Sequence, residues 1–192
     1  MTQQPPTEAS VSITIDTASA PVAEALNPRT GELRRPWAVI VATTLMYLGV
    51  ALIVAGMLQA FWISISDFAG AAWIHGQIPT EPGDLVRVGI VSGEFALVLA
   101  LGALALISGY YSWRGYRWPR WWGIAAAVSS VSAWVLNPIA GIGSVSIILG
   151  AALLWLPSVA AFSNRWHERR HPRPHQPDIR DDVWYGPLPR YR

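Results

Sequence analysis

From Trp37 to Gln59 the chain reads WAVIVATTLMYLGVALIVAGMLQ, a run without one charged residue. Spanning the roughly 30 Å hydrocarbon core of a bilayer takes about 20 mainly apolar residues at 1.5 Å each. This run meets that requirement. A second run, from about Leu85 to Ser108, carries Arg87 near its start and Glu94 inside it. A third apolar tract extends from Trp121 to Phe162. As one helix it would be about 60 Å long, twice the hydrocarbon thickness, so it must fold back. Its only punctuation is Asn137-Pro138, followed by Gly141 and Gly143. Asn-Pro starts turns, and the residue before proline is pushed out of the helical region. The expected architecture is therefore all-α, a four-transmembrane-helix bundle with spans at about 37–60, 85–108, 121–136 and 142–162.

Composition agrees with a membrane class and narrows the chemistry. Of 192 residues, 52% are hydrophobic and 14% charged, against about 25% charged in ordinary soluble domains. Cysteine is absent. That excludes disulfide scaffolds, Cys-ligated zinc, iron–sulfur centres and thiol catalysis. The first 35 residues are polar and include Pro5, Pro6, Pro21 and Pro28. The first apolar run starts too late, and is too long, for a cleaved signal peptide. Residues 1–35 and 164–192 are expected to be disordered tails.

Orientation follows from arginine, which is retained on the cytoplasmic side of a membrane. All 14 basic side chains are Arg. Arg29, Arg34 and Arg35 precede the first span, and Arg114, Arg117 and Arg120 lie between the second and third. The others follow the fourth span, except Arg87, which stands alone at the opposite face. Both termini are accordingly expected in the cytoplasm. Trp37, Trp62, Trp113, Trp118, Trp121, Trp122 and Trp166 fall at span ends, where aromatic side chains anchor at headgroup level.

Glu94 is the first candidate for chemistry. An acid near mid-depth costs roughly 2.5 kcal/mol or more unless it is neutral, paired or wet. One reading is a proton or cation relay, with Arg87 and Tyr47 as further members. The other is a protonated carboxyl bonded to Thr43, Thr44, Tyr47 or Ser129. Arg87 precedes Glu94 by seven residues on the same helical face, about 10.5 Å away along the axis. His75, in the apolar connection near 61–84, is read as solvated or functional with equal weight. A short interfacial helix is expected there, starting near Ser66-Asp67, whose oxygens can cap free N–H groups.

Gly89 and Gly93 form a GxxxG pattern in the second span. Such patterns let helix backbones approach closely. Packing within the bundle and homo-oligomerisation are both open uses. The loop before the third span interleaves Arg114, Arg117 and Arg120 with Trp118 and Trp121. This composition suits anionic lipid headgroups or a docking partner at the cytoplasmic face. A short loop pressed on a bilayer is a poor nucleic-acid reader.

His167-Glu168-Arg169-Arg170-His171 matches HExxH, in which two histidines bind zinc and the glutamate activates water. Pro172 follows at once and two arginines sit between the histidines, so the match is read as chance. His167, His171 and His175 remain weak candidates for adventitious metal affinity. No cofactor is expected.

Two short patterns carry a family likeness. Arg117-Trp118-Pro119-Arg120-Trp121 precedes the third span, and Leu156-Pro157 with Phe162 closes the fourth. With these, residues of about 36–166 resemble the small, uncharacterised four-span integral proteins of bacterial inner membranes. The resemblance implies a multi-pass protein of the bacterial cytoplasmic membrane and no particular activity. The resulting functional expectation is a non-enzymatic accessory or scaffold subunit of a membrane complex, or a homo-oligomer. The alternative is a small transporter or ion-conducting oligomer using Glu94, and the remote alternative an HExxH membrane metalloprotease.

Overall fold

The computed structural model describes residue 27 and residues 31–172. The rest of both expected tails, His175 included, lies outside the described residues. Ahead of the helices is a separate unit ending at Arg34. In it the Gly31 N–H donates to the Asn27 carbonyl (2.8 Å) and the Asn27 N–H to that of Glu32 (2.8 Å).

From Arg35 onward every element is a helix. Helix α1, Trp37–Ser64, follows Pro36, whose extended backbone (φ −63°, ψ 146°) marks the start. Its side chains are apolar on all sides, the pattern of a helix buried among protein and lipid. It runs one turn beyond the expected end at 60. Two short helices follow, α2 (Phe68–Ala71) and α3 (Trp73–Gln77). Helix α4, Leu85–Trp113, begins where the Asp84 carboxylate accepts the Val86 N–H at 3.0 Å. It passes the expected end at 108 to include Tyr110, Tyr111 and Trp113.

Helix α5, Pro119–Ser130, has proline in its first turn, where the missing N–H costs nothing. It continues as a 3-10 segment, Val131–Val135. Serine hydroxyls turn back here: Ser130 Oγ donates to the Ala127 carbonyl (2.8 Å) and Ser132 Oγ to that of Ser129 (2.7 Å). Such back-bonding competes with regular helix. At 1.5 and 2.0 Å per residue, the two pieces together reach about 28 Å.

Helix α6, Pro138–Leu153, starts four residues before the expected 142, because Asn137 Oδ1 accepts the Ala140 N–H at 3.0 Å and caps it. It also stops early. Pro157 holds Leu156 extended (φ −62°, ψ 142°) and opens α7, Pro157–Arg170. The axes of α6 and α7 differ by 63°. The expected span 142–162 is therefore broken at 154–156, and the expected tail boundary at 164 falls inside a helix. Among the described residues two helices, α1 and α4, are long and apolar enough to cross a membrane, or three spans if the bent α6–α7 pair counts as one.

Helix α1 packs against α4 and α6, and α5 packs against α4 and α6. The α1–α6 seam is built from small residues at seven-residue spacing. A β-carbon on Gly49 would meet the Gly143 carbonyl oxygen at 2.6 Å, and one on Gly150 the Ala42 carbonyl oxygen at 2.9 Å. Farther along, Gly56 lies against Asn137 and Ala140. Asn137 Nδ2 donates to the Gly56 carbonyl at 2.7 Å, tying the cap of α6 to α1. In lipid, where burial of apolar surface gives little, such close approach supplies dispersion contacts instead. Val50, Ile53, Met57, Val98, Leu101, Leu136 and Ile147 fill the core beside this seam.

Candidate functional site

The connection between α1 and α4 folds back onto α4. Asp67 Oδ1 accepts the Gly70 N–H at 3.1 Å, giving α2 the cap expected of it. Ala72 is extended (φ −147°, ψ 157°), so α3 turns away from α2 and carries His75 inward. His75 is 1% exposed. Its ring stacks on Phe68 with centroids 4.2 Å apart and planes 4° from parallel. Nδ1 lies 3.0 Å from the Phe68 carbonyl oxygen, and Nε2 lies 2.9 Å from Glu94 Oε1. The Glu94 oxygen is at ion-pair distance but off the axis of a linear hydrogen bond.

The carbonyl of Phe68 can only accept, so Nδ1 carries a hydrogen. Nε2 is left to face Glu94 Oε1 at 2.9 Å, an imidazole and a carboxyl group in buried contact. Glu94 thus has a polar partner, which an acid in so apolar a helix needs. The partner is neither Thr43, Thr44, Tyr47 nor Ser129. It is His75, supplied by the chain's own connection.

Arg87 does not pair with Glu94. Its Nε donates to Thr80 Oγ1 at 2.9 Å and its Nη2 to the Thr80 carbonyl at 2.6 Å. Its guanidinium lies over the Phe68 ring, 4.5 Å from the centroid. His75 and Arg87 cannot share one face of that ring, so Phe68 is the middle layer of a His–Phe–Arg stack. The seven-residue spacing of Arg87 and Glu94 gives α4 two anchor points for the connection, one on Thr80 and one on His75. Tyr47 is elsewhere: it packs on Gly109, about 22 Å along α4 from Glu94. The three residues read as a relay are not brought together.

At the other end of α4, the loop 114–118 receives α7. The Arg170 guanidinium sits 4.0 Å from the Tyr116 ring centroid and 5.1 Å from that of Trp166. It donates to the Arg114 and Gly115 carbonyls. Gly115 takes φ 71°, and a side chain there would collide with Trp166. Trp118 packs on Tyr111 and Trp122, while Trp121 meets Trp155 edge-on at 5.1 Å. Arg120 Nε donates to the Arg117 carbonyl at 3.1 Å. Arg114 lies over Tyr110 at 5.8 Å.

Among the described residues the GxxxG pair makes no packing contact: beyond their own helical turn, β-carbons placed on Gly89 and Gly93 meet nothing within 4 Å. The packing glycines are those of the α1–α6 seam, which the sequence reading missed. Their signal was the seven-residue recurrence Ala42, Gly49, Gly56 against Gly143, Gly150. For His75 the sequence weighs solvation and function equally, although a lone histidine in an apolar connection is chemically matched to a lone acid in the next helix.

No family model, no curated protein and no solved structure matches the chain.

Proposed function

We propose that this chain is a non-enzymatic accessory or scaffold subunit in the bacterial cytoplasmic membrane. It crosses four times, as a four-helix bundle, with both termini in the cytoplasm. In this topology α1, α4, the α5–3-10 segment and α6 are the spans, and α7 lies along the cytoplasmic interface. The arginine distribution supports the orientation. The bend before α7 supports the interfacial helix, since its last turn carries His167, Arg169 and Arg170.

One observation carries the functional reading. The acid inside the second span lies 2.9 Å from His75, whose ring is stacked on Phe68, so Glu94 serves as a clasp for the connection 65–84. A transport carboxylate has to meet water or substrate on each side in turn. Glu94 instead meets a histidine 1% exposed, itself fixed by the Phe68 carbonyl. The outer face of α4, with Gly89 and Gly93 open, supports helix-to-helix association with a partner or a second copy. The arginines and tryptophans of 114–121 suit anionic lipid headgroups beside it.

The test compares two properties of the full chain. Purified in a gentle detergent, it is expected as a complex of defined stoichiometry, captured by a photo-crosslinker at Gly93. Reconstituted in vesicles, wild type and Glu94→Gln are expected to show the same background proton and cation flux. A bare monomer, together with a flux that Glu94→Gln abolishes, contradicts the proposal and assigns the chain to small transporters.

A further inference from the structure

The HExxH segment, set aside as a chance match, has a geometry of its own. Helix α7 continues through Arg170, and the His171 N–H donates to the His167 carbonyl at 3.0 Å, closing the last turn. The two imidazole rings stand 4.7 Å apart between centroids, tilted by 54°. They open on a cavity of about 710 Å³ lined, among the described residues, by Arg117, Asn164, His167, Glu168 and His171. Two sequence objections to metal were the proline after His171 and the arginines between the histidines. The structure removes part of each. The turn closes before Pro172 acts, and Arg170 is drawn away from the cavity onto Tyr116 and Trp166.

We propose that His167 and His171 form a binding site for one divalent transition-metal ion of the zinc, nickel or copper class. Imidazole nitrogen is a preferred ligand for these ions. An ion held by two imidazoles at about 2.0–2.1 Å, with a near-tetrahedral bite, places their centroids on the order of 5 Å apart. The observed 4.7 Å is close to that separation. Two protonated rings at this distance would repel, whereas two neutral rings offer two lone pairs to one cation. Glu168 and Arg117 line the same cavity. Among the described residues no three His, Cys, Asp or Glu ligands converge, so water completes the shell. The site is a binding site, and it is independent of the clasp at Glu94.

The experiment uses the full chain in nanodiscs, purified through a tag without histidine. Zinc is titrated calorimetrically at pH 7.5, and copper(II) is followed by electron paramagnetic resonance for coupling to two nitrogens. One equivalent is expected, weakened at least tenfold by His167→Ala or by His171→Ala, and weakened again at pH 5.5 because the ligands must be deprotonated. Both rings are exposed, so these variants keep the fold. As a second readout, zinc is expected to slow hydrogen exchange at the His171 amide in the wild type. Absence of saturable binding, or wild-type binding in the His167→Ala/His171→Ala double variant, overturns the proposal. The latter result would move any metal affinity to other residues, such as His175.

Discussion

Glu94 Oε1 and His75 Nε2 approach to 2.9 Å, joining the first third of α4 to the connection that precedes it. The pair explains how one acid resides in an apolar helix. It also explains why the connection, apolar through Phe68 to Ile74, has a fixed course. Phe68 links the two halves, with its ring under His75 and its carbonyl on Nδ1.

Arg87 is the second fastening of that connection. Arg87→Ala removes two hydrogen bonds to Thr80 and a cation–π contact with Phe68. The site is part-buried, and the expected cost is about 1–2 kcal/mol. Hydrogen exchange should accelerate around 78–84 while the middle of α1 stays protected. Unchanged exchange there would show that Thr80 is held by something else.

Glycine substitutions should separate the two faces of the fold. Gly49→Val drives a side chain into the Gly143 carbonyl and Ile147. Loss of more than 3 kcal/mol is expected, as for overpacking at a rigid contact. At Gly89 a β-carbon has open space among the described residues, so Gly89→Val is expected to be accommodated. Monomer stability should hold or rise slightly, because glycine is a poor helix former. Thermal unfolding in nanodiscs measures both.

Arg170→Lys should free α7 from the loop 114–118. An ammonium cannot span both carbonyls while lying flat on Tyr116 and Trp166. A spin label at Asn164 should report greater mobility in the Lys variant. Equal mobility would mean that Trp166 against Gly115 suffices to dock the helix.

How much of this was legible in the sequence depends on range. Long apolar runs, without charge in α1 and with only Arg87 and Glu94 in α4, marked these two helices, since span length is a local property. Asn137-Pro138 marked the turn before α6 but not its first residue, which the cap and the proline place at 138 rather than 142. Leu156-Pro157 carried the same message, yet hydropathy alone ran the span through it to 162. The 3-10 ending at Val131–Val135 comes from serines bonding backward, which no periodicity of apolar residues reveals. In the candidate site, Glu94 stood out by its cost in lipid. Its partner did not, because His75 reaches it only through the fold of α2 and α3. The spacing of Arg87 and Glu94 was read correctly as one face, but a shared face serves two anchors as well as one pair.

The central claim is that Glu94 acts through His75 as a clasp, and a double-mutant cycle tests it most directly. His75→Phe keeps the stack on Phe68, and Glu94→Leu keeps apolar volume in α4. Each alone strands a buried polar partner, with an expected loss of about 2–4 kcal/mol. Together they remove both partners, so the double variant should lose less than the sum by at least about 1.5 kcal/mol. Unfolding of the four proteins in nanodiscs measures that coupling. Strict additivity, or a Glu94→Leu variant as stable as wild type with His75 intact, would contradict the account.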